Sequence, residues 1–103
     1  MLKDAQQQVD DWAQQYKVPY WPPMDNLAHL IEEVGEVARI FNHQFGSKPK
    51  KPTEDEQHLD EELADVLFTL ICIANSQGID LDAALAKVFD KINTRDKDRF
   101  EKK

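Results

Sequence analysis

Apolar residues recur every three or four positions along most of the chain, which is the spacing of amphipathic helices. Stretches with this spacing are separated by segments rich in proline, glycine or charge, and none shows the alternation typical of a strand. We therefore predict an all-α fold, a four-helix bundle with helices over about residues 2–17, 25–45, 54–76 and 81–94. A charged tail follows the last helix, and residues 1–103 are interpreted as a single domain.

Residues at the ends of these stretches predict where the helices begin and end. Proline removes an amide donor and restricts the residue before it, so the Pro19–Pro23 segment stops the first helix. The predicted caps, in chain order, are Asp25 before the second helix, Gly46 in a left-handed conformation after it, the Thr53–Glu56 capping box, and Asp80 before the fourth helix. The predicted core positions of the fourth helix are Leu81, Leu85, Val88, Phe89 and Ile92.

Charge and composition exclude several classes of protein. The chain has 20 acidic and 13 basic residues and a formal net charge of −7, which argues against a protein that coats nucleic acid or an anionic membrane by charge. The single cysteine, Cys72, cannot form an internal disulfide and suits a reducing compartment. The longest apolar stretch, Leu63–Ala74, contains Asp65 and is too short to cross a bilayer, and the N-terminal residues lack a signal-peptide pattern. We expect a cytoplasmic protein whose partners include no nucleic-acid polymer and no membrane.

Acidic residues occupy unexpected positions on the two central helices. Glu62 and Asp65 are three positions apart, so both point the same way on the third predicted helix. Asp65 has apolar neighbours on either side, where an ionised carboxylate is costly unless it is compensated. Glu33 and Glu36 repeat the same spacing on the second helix. If the two helices pack antiparallel, as a short connection favours, the two pairs converge in the bundle interior.

Carboxylates gathered in one small volume need counter-ions or protons. At about 4 Å and an effective dielectric of roughly 20, each pair of like charges repels by about 4 kcal/mol, so a cluster of four would exceed the stability of a small domain. The ligand set is all oxygen, which suits Mg²⁺ or Mn²⁺ rather than zinc, and cations held in this way leave room for a phosphorylated ligand. The sequence therefore predicts a metal site for phosphate chemistry.

Two structural interpretations compete with the metal site. Acidic pairs at this spacing are common on solvated helix faces, and a buried salt bridge from Asp65 to Arg39 or Lys87 would also compensate a buried charge. Two such pairs on adjacent helices, one of them inside an apolar run, favour the metal site.

The spacing of the four acids resembles the E-x-x-E … E-x-x-D signature of the MazG-like nucleotide pyrophosphohydrolases, the all-α NTP pyrophosphatase superfamily. The matching segments are Glu33-Val34-Gly35-Glu36 and Glu62-Leu63-Ala64-Asp65, and Gly78-Ile79-Asp80-Leu81 is similar to the family's link into its fourth helix. The resemblance covers roughly residues 25–100 and extends to the short, single-domain MazG-like proteins of bacilli.

The resemblance implies hydrolysis of a (deoxy)nucleoside triphosphate to the monophosphate and pyrophosphate, with water attacking the α-phosphorus. It implies Mg²⁺, with Mn²⁺ as a substitute, held by Glu33, Glu36, Glu62 and Asp65. Either Glu33 or its neighbour Glu32 could orient the attacking water, and Glu33 ranks first because some relatives lack an acid at the position of Glu32. Clearing non-canonical or surplus deoxynucleotides from the pool is the corresponding role.

Five further residues are candidate substrate contacts: Trp21, Thr69, Cys72, Lys91 and Arg95. Trp21 lies in the segment that supplies nucleobase contacts in relatives, and its ring could stack a base or serve as a packing anchor. Thr69 and Cys72 stand where relatives carry Tyr and Asn, so base recognition departs from the family. Lys91 and Arg95 match basic positions that approach phosphates in relatives, or else form a solvated face near a helix C-terminus.

A small domain with a partly apolar first helix gains stability by pairing, and MazG-like proteins resemble one another in forming dimers or dimers of dimers. We therefore predict a homodimer or homotetramer whose partner chain could contribute to the site. The alternative function is a non-catalytic helical module, either a regulatory nucleotide binder or an interaction subunit that keeps the acids as a structural cation site. Only the enzyme requires release of pyrophosphate.

Overall fold

The computed structural model describes residues 1–54 and 56–103. It contains four α-helices, which are α1 (Leu2–Ala13), α2 (Pro23–Gln44), α3 (Leu59–Ser76) and α4 (Leu81–Arg95). No strand occurs in these described ranges, so the prediction of an all-α chain with four helices is confirmed. Asp55, which the predicted third helix would include, lies outside the described residues.

The first helix ends at Ala13 rather than at residue 17. Beyond Ala13 the backbone tightens, because the Tyr16 amide donates to the Ala13 carbonyl at 3.1 Å and the Gln15 amide donates to the Trp12 carbonyl at 3.3 Å. These are bonds to the third residue back, which close a turn but do not propagate an α-helix. Pro19 follows and prevents the helix from resuming.

The predicted caps of α2 are wrong at both ends. The N-cap is Pro22, with ψ at 149°, and Pro23 occupies the first helical position, where a missing amide hydrogen costs nothing and the fixed φ suits the helix. Asp25 therefore lies inside the first turn, where its charge favours the helix dipole. Gly46 is not left-handed, because Gly78 is the glycine with a positive φ, 66°, among the described residues.

The predicted capping box of Thr53 and Glu56 is also wrong, since α3 begins at Leu59 with His58 as its N-cap. The preceding segment is instead held against α2 by side-chain contacts. Glu54 forms an ion pair with Arg39 at 3.1 Å, which lowers the pKa of the Glu54 carboxyl. Gln57 Oε1 lies 3.0 Å from His43 Nδ1. These contacts extend the segment along α2 rather than letting it coil into the next helix.

The start of α4 is as predicted: Asp80 is its N-cap and accepts hydrogen bonds from the amides of Asp82 at 3.0 Å and Ala83 at 3.3 Å. The axis of α4, however, is bent by 107° from that of α3. The helix contributes no buried residue. Its predicted core positions are therefore wrong for the single chain, where Phe89 is 56% exposed.

The core of the chain lies where α3 packs against α1 and α2. Its buried apolar residues are Val9, Ala13, Ile40, Ile71 and Ala74. The radius of gyration is 17.4 Å, compared with about 13 Å for a typical compact domain of 100 residues. No single helix in the described ranges is long and apolar enough to span a membrane; α3 and α4 satisfy that criterion only as a bent pair.

Candidate active site

Carboxylates from α2 and α3 meet at the packed interface of these two helices. One oxygen each from Glu33, Glu62 and Asp65 lies within 4.8 Å of the others. The helices run antiparallel, because residues near the start of α2 share a cavity with Thr69 and Cys72, whereas Glu36 shares a cleft with Glu62. Three of the four acids that were predicted to converge from the two facing helices are thus brought together.

The environment of this acid cluster (Glu33, Glu62 and Asp65) is electrostatically unfavourable. Burial raises the pKa of the Glu62 carboxyl, and the neighbouring charges of Asp65, Glu33 and Glu36 raise it further. The Glu33 side chain is 19% exposed. Like charges at this distance in a partly desolvated site favour a bound cation or a proton.

Asp65 is exposed, so the expectation of a buried carboxylate is wrong for the single chain. Its apolar neighbours on α3 do not cover it, since Leu63 is 51% exposed and Leu67 is 44% exposed. The alternative of a buried salt bridge finds no support, because Arg39 pairs with Glu54 and no ion pair within 1–54 and 56–103 involves Asp65.

The fourth predicted acid, Glu36, lies beside the acid cluster without belonging to it. It lines an adjacent cleft of about 370 Å³ together with Glu62, Arg39 and Glu54. Its charge nevertheless reaches Glu62, whose pKa it helps to raise. Glu32 is on the outer side of α2, with its side chain 76% exposed.

An aromatic cavity of about 490 Å³ opens next to the acid cluster, between α1, the Pro19–Pro23 segment, α2 and α3. Its aromatic walls include Trp12, Tyr16, Tyr20, Trp21 and Phe68. Trp12 packs edge-to-face against Phe68, with 5.5 Å between ring centroids. Thr69 and Cys72 also line the cavity. Three of the predicted substrate contacts, Trp21, Thr69 and Cys72, therefore line the same cavity. Burial raises the pKa of the Cys72 thiol.

A family model of the MazG nucleotide pyrophosphohydrolase domain matches residues 22–100. The chain belongs to the MazG family. It is 50% identical over 102 residues to the protein YpjD of Bacillus subtilis (strain 168), a match that covers 99% of this chain and 92% of that protein. It is 32% identical over 83 residues to dCTP pyrophosphatase 1 of Mus musculus, which covers 78% of this chain and 46% of that protein. The chain thus spans about half the length of that relative.

Solved structures support the same assignment to the MazG family. The crystal structure of YPJD from Bacillus subtilis superposes with a TM-score of 0.81 at 47% identity and covers 90% of this chain and 95% of that chain. The Bacillus-conserved MazG protein, a nucleotide pyrophosphohydrolase, superposes with a TM-score of 0.80 at 46% identity and covers 95% of each chain. The resemblance found in the sequence is confirmed, and these relatives support a nucleotide pyrophosphohydrolase activity.

MazG proteins are generally metal-dependent, and the donor atoms of the acid cluster fit such an ion. All are carboxylate oxygens from two rigid helices, which is the donor type that Mg²⁺ and Mn²⁺ prefer. Neither Lys91 nor Arg95 lines the aromatic cavity or the acidic cleft of this MazG chain. Both are exposed on α4, and Arg95 pairs with Asp96 at 3.2 Å.

Two residues at the site were missed by the sequence analysis. His29 lies between the aromatic cavity and the acid cluster, with Nε2 3.5 Å from Glu33 Oε1 and its ring 5.3 Å from that of Trp21. Its position four residues before Glu33 is the signal that could have placed it on the acid stripe. Asn26 lines the cavity from the first turns of α2 and is 5% exposed. A polar residue at an apolar position of the helical repeat was its signal.

Proposed function

We propose that this chain catalyses Mg²⁺-dependent hydrolysis of (deoxy)nucleoside triphosphates to the nucleoside monophosphate and pyrophosphate. The observation that carries the proposal is the acid cluster, in which Glu33, Glu62 and Asp65 place carboxylate oxygens within 4.8 Å of one another. This cluster adjoins a cavity lined by aromatic rings, which is suited to an apolar, planar group such as a nucleobase. The family and the relatives support the same chemistry.

We assign the metal-ligand role to Glu33, Glu62 and Asp65, with Glu36 completing the set from the adjacent cleft. A magnesium ion held there would neutralise charge on the triphosphate and lower the pKa of a bound water. Burial and the repulsion from neighbouring carboxylates raise the pKa of Glu62, and this supports the role because a bound cation would favour the ionised form against both effects.

In the proposed reaction a water oxygen bonds to the α-phosphorus, and the bond from that phosphorus to the bridging oxygen of pyrophosphate breaks. The proton released by the water goes to a carboxylate of the chain. We propose Glu33 rather than Glu32 for this step, because Glu33 belongs to the acid cluster whereas Glu32 is largely in solvent. Holding the water and the phosphorus together on rigid helices supplies the orientation that this displacement requires.

The nucleobase would occupy the aromatic cavity, where Trp21, Thr69 and Cys72 are the proposed contacts. The match to dCTP pyrophosphatase 1 of Mus musculus supports a deoxynucleotide among the substrates. We further propose that the enzyme acts in the cytoplasm and removes non-canonical or surplus deoxynucleotides from the pool.

We propose that the active form is a homodimer or a dimer of such dimers. Large apolar side chains of α2, α3 and α4 lie on the surface of the single chain, including Ile31, Val34, Leu63, Leu85 and Phe89. A second copy would cover this surface and give α4 the packing that it lacks. Neither Lys91 nor Arg95 lines the site of its own chain. They would therefore approach phosphate groups only across such an interface between chains.

Pyrophosphate release from a panel of ribo- and deoxynucleoside triphosphates, measured with Mg²⁺, with Mn²⁺ and with EDTA, tests the proposed activity. We expect release that depends on the metal and stops in EDTA. Folded protein that binds the metal yet releases no pyrophosphate from any triphosphate would contradict the proposal and favour the non-catalytic module.

Light scattering of the native chain and of Phe89→Asp tests the assembly. We expect a mass of two or four chains for the native protein and a smaller mass for the variant, while Lys97→Asp, an exposed position in the tail, serves as the control. A native chain that is monomeric at micromolar concentration would contradict this part of the proposal.

A further inference from the structure

The aromatic cavity, the acid cluster and a third feature, the acidic cleft that Glu36, Glu62 and Arg39 line, follow one another along α2. Asn26 lines the cavity, Glu33 belongs to the acid cluster, and Arg39 lines the acidic cleft. An α-helix rises about 1.5 Å per residue, so Glu33 is about 10 Å along the axis from Asn26 and about 9 Å from Arg39. The cavity and the acidic cleft therefore lie on opposite sides of the acid cluster.

Arg39 supplies a permanent positive charge to this arrangement. Of the described residues that line the aromatic cavity or the acidic cleft, it is the only lysine or arginine. Its guanidinium lies 3.1 Å from Glu54 Oε2, and its side chain is 49% exposed. A guanidinium has five N–H donors in a planar fork, so the contact with Glu54 leaves donors for a ligand. That fork matches the paired oxygens of a phosphate group.

The carboxylates of the acidic cleft determine which anions can enter it. Glu36, Glu54, Glu56 and Glu62 line it beside one arginine, so a bare anion would be repelled. Glu36 and Glu62 are proposed magnesium ligands, however, and Glu54 is paired with Arg39. An anion that is itself coordinated to magnesium would meet positive charge from the metal and from the guanidinium. The acidic cleft therefore fits a phosphate group as its magnesium complex.

We propose that the acidic cleft receives the pyrophosphate end of the triphosphate and that Arg39 donates hydrogen bonds to it. A base in the aromatic cavity and an α-phosphorus at the acid cluster leave the β- and γ-phosphates on the side where Arg39 lies. When the bond to the α-phosphorus breaks, the bridging oxygen leaves with its electron pair, and the guanidinium stabilises the negative charge added to pyrophosphate. The inference rests on the proposed function, because that function supplies the positions of the base and the α-phosphorus.

Calorimetric binding of inorganic pyrophosphate in excess Mg²⁺ tests this subsite without turnover. We expect Arg39→Gln to weaken binding by about tenfold or more, because hydrogen bonds to a charged group are lost. Arg39→Lys keeps the charge but not the fork and should weaken it less. Arg99→Gln, an exposed arginine of the tail, is the matched control and should bind as the native chain does. No binding by the native chain, or equal affinity in Arg39→Gln, would overturn the proposal.

Glu54→Gln separates a contact with phosphate from a structural role of the ion pair. Both Glu54→Gln and Arg39→Gln break the pair, but only the second removes the guanidinium. We expect Glu54→Gln to bind pyrophosphate as tightly as the native chain or more tightly, because an anion beside the acidic cleft is gone. Equal weakening in both variants would assign the effect to the fold and overturn the proposal. Thermal melting checks that both variants fold, and Arg39→Lys carries the comparison if Arg39→Gln does not.

Binding of dCMP places Arg39 on the correct side of the acid cluster. This ligand retains the base and the α-phosphate but lacks pyrophosphate, so Arg39→Gln should bind it as the native chain does. A loss of dCMP affinity as large as the loss for pyrophosphate would contradict the placement.

The same measurements distinguish failure of this inference from failure of the proposed function. If no triphosphate releases pyrophosphate, the proposed function fails, but pyrophosphate binding that depends on Arg39 would still support the subsite. If triphosphates are hydrolysed while Arg39→Gln keeps the native KM, kcat and affinity for pyrophosphate, the proposed function stands and this inference is wrong.

Discussion

Polar side chains at the two ends of α3 have opposite environments: they are paired by hydrogen bonds at one end and face like charges at the other. At its C-terminal end, Asn75 accepts from Gln6 Nε2 at 3.0 Å and donates to the Gln6 carbonyl and the Tyr20 hydroxyl. Gln6 in turn binds the Ile79 carbonyl and the Leu81 amide. At the N-terminal end, Glu62 and Asp65 lie beside Glu33, and no lysine or arginine within 1–54 and 56–103 forms an ion pair with any of the three. The nearest ring nitrogen of His29 lies 3.5 Å from Glu33.

We interpret the C-terminal polar groups as structural and the N-terminal carboxylates as the proposed functional site. Hydrogen bonds that satisfy buried amides hold α1, α3 and the start of α4 together and leave nothing for a ligand. Carboxylates that repel one another instead lower the stability of the ligand-free fold. This cost of an acid cluster on α2 and α3 supports the proposal that the cluster holds a cation.

The largest expected effect comes from Asp65→Asn, which removes a charge from the acid cluster and keeps its shape. We expect turnover to fall by on the order of 10³-fold and Mn²⁺ binding to weaken, while the melting temperature stays equal or rises because a repulsive charge is gone. Asp60→Asn, an exposed acid on the same helix, is the matched control for pyrophosphate release and calorimetry. Full activity in Asp65→Asn would contradict the functional role of the acid cluster, and with it the difference between the two ends of α3.

Substitutions in the hydrogen-bond network at the C-terminal end of α3 should change the stability of the fold rather than the rate of hydrolysis. Gln6→Ala removes three hydrogen bonds of a buried side chain, so we expect the free energy of unfolding to fall by about 3 kcal/mol in urea denaturation. Gln8→Ala, an exposed position on the same helix, should change it by less than about 0.5 kcal/mol. A loss in Gln6→Ala no larger than in that control would show that the network is not structural.

The pH dependence of stability should also differ between the two regions. The pKa of Glu62 is raised in the folded chain, so the folded state binds protons more strongly, and stability without metal should fall as pH rises above the usual glutamate value of 4.5. The pKa of Asp10 is lowered by hydrogen bonds from Tyr20 and Gln14, so its contribution is present above 3.8 and is lost as pH falls further. Melting temperatures measured across this range with EDTA and with Mg²⁺ check both signs.

Magnesium should flatten the slope above pH 4.5, because a bound cation keeps the acid cluster ionised in the folded state. Glu62→Gln should flatten the same pH dependence of the melting temperature without metal, because the variant lacks the titrating carboxyl. A slope that persists in Glu62→Gln would assign the effect to the overall negative charge instead.

The smallest effect is expected for Tyr20→Phe, which removes a hydroxyl that donates to Asp10 and accepts from Asn75. We expect a loss of about 1 kcal/mol in the free energy of unfolding. Burial, together with the hydrogen bond to Asp10, raises the pKa of Tyr20 to about 12, so the variant should also lose a tyrosine ionisation near that pH in ultraviolet absorbance. An unchanged titration curve would contradict the contact.

Local signals in the sequence predicted what depends on nearby residues. Asp80 caps α4 because its side chain reaches amides two and three residues on, and the acid stripes follow from helical spacing alone. The predicted start of α3 was wrong for the opposite reason. Glu54 is held by Arg39, which is fifteen positions earlier in the chain. No local capping pattern contains that contact.

Contacts between distant residues set the remaining features. Gln6 and Asn75 are separated by 69 positions, so their network could not be inferred from either segment. The exposure of Asp65 and of the apolar face of α4 was missed because a helical stripe shows which side is apolar but not what covers it. The acid cluster, by contrast, was predictable because the two helices that carry it are joined directly.

The most direct test of the central claim, hydrolysis at the α-phosphorus by the acid cluster, is turnover of a triphosphate in ¹⁸O-labelled water followed by mass spectrometry of both products. Attack on the α-phosphorus places the labelled oxygen in the nucleoside monophosphate and leaves pyrophosphate unlabelled, which is the predicted result. Label in pyrophosphate, or in free phosphate with a diphosphate as the other product, would contradict the account.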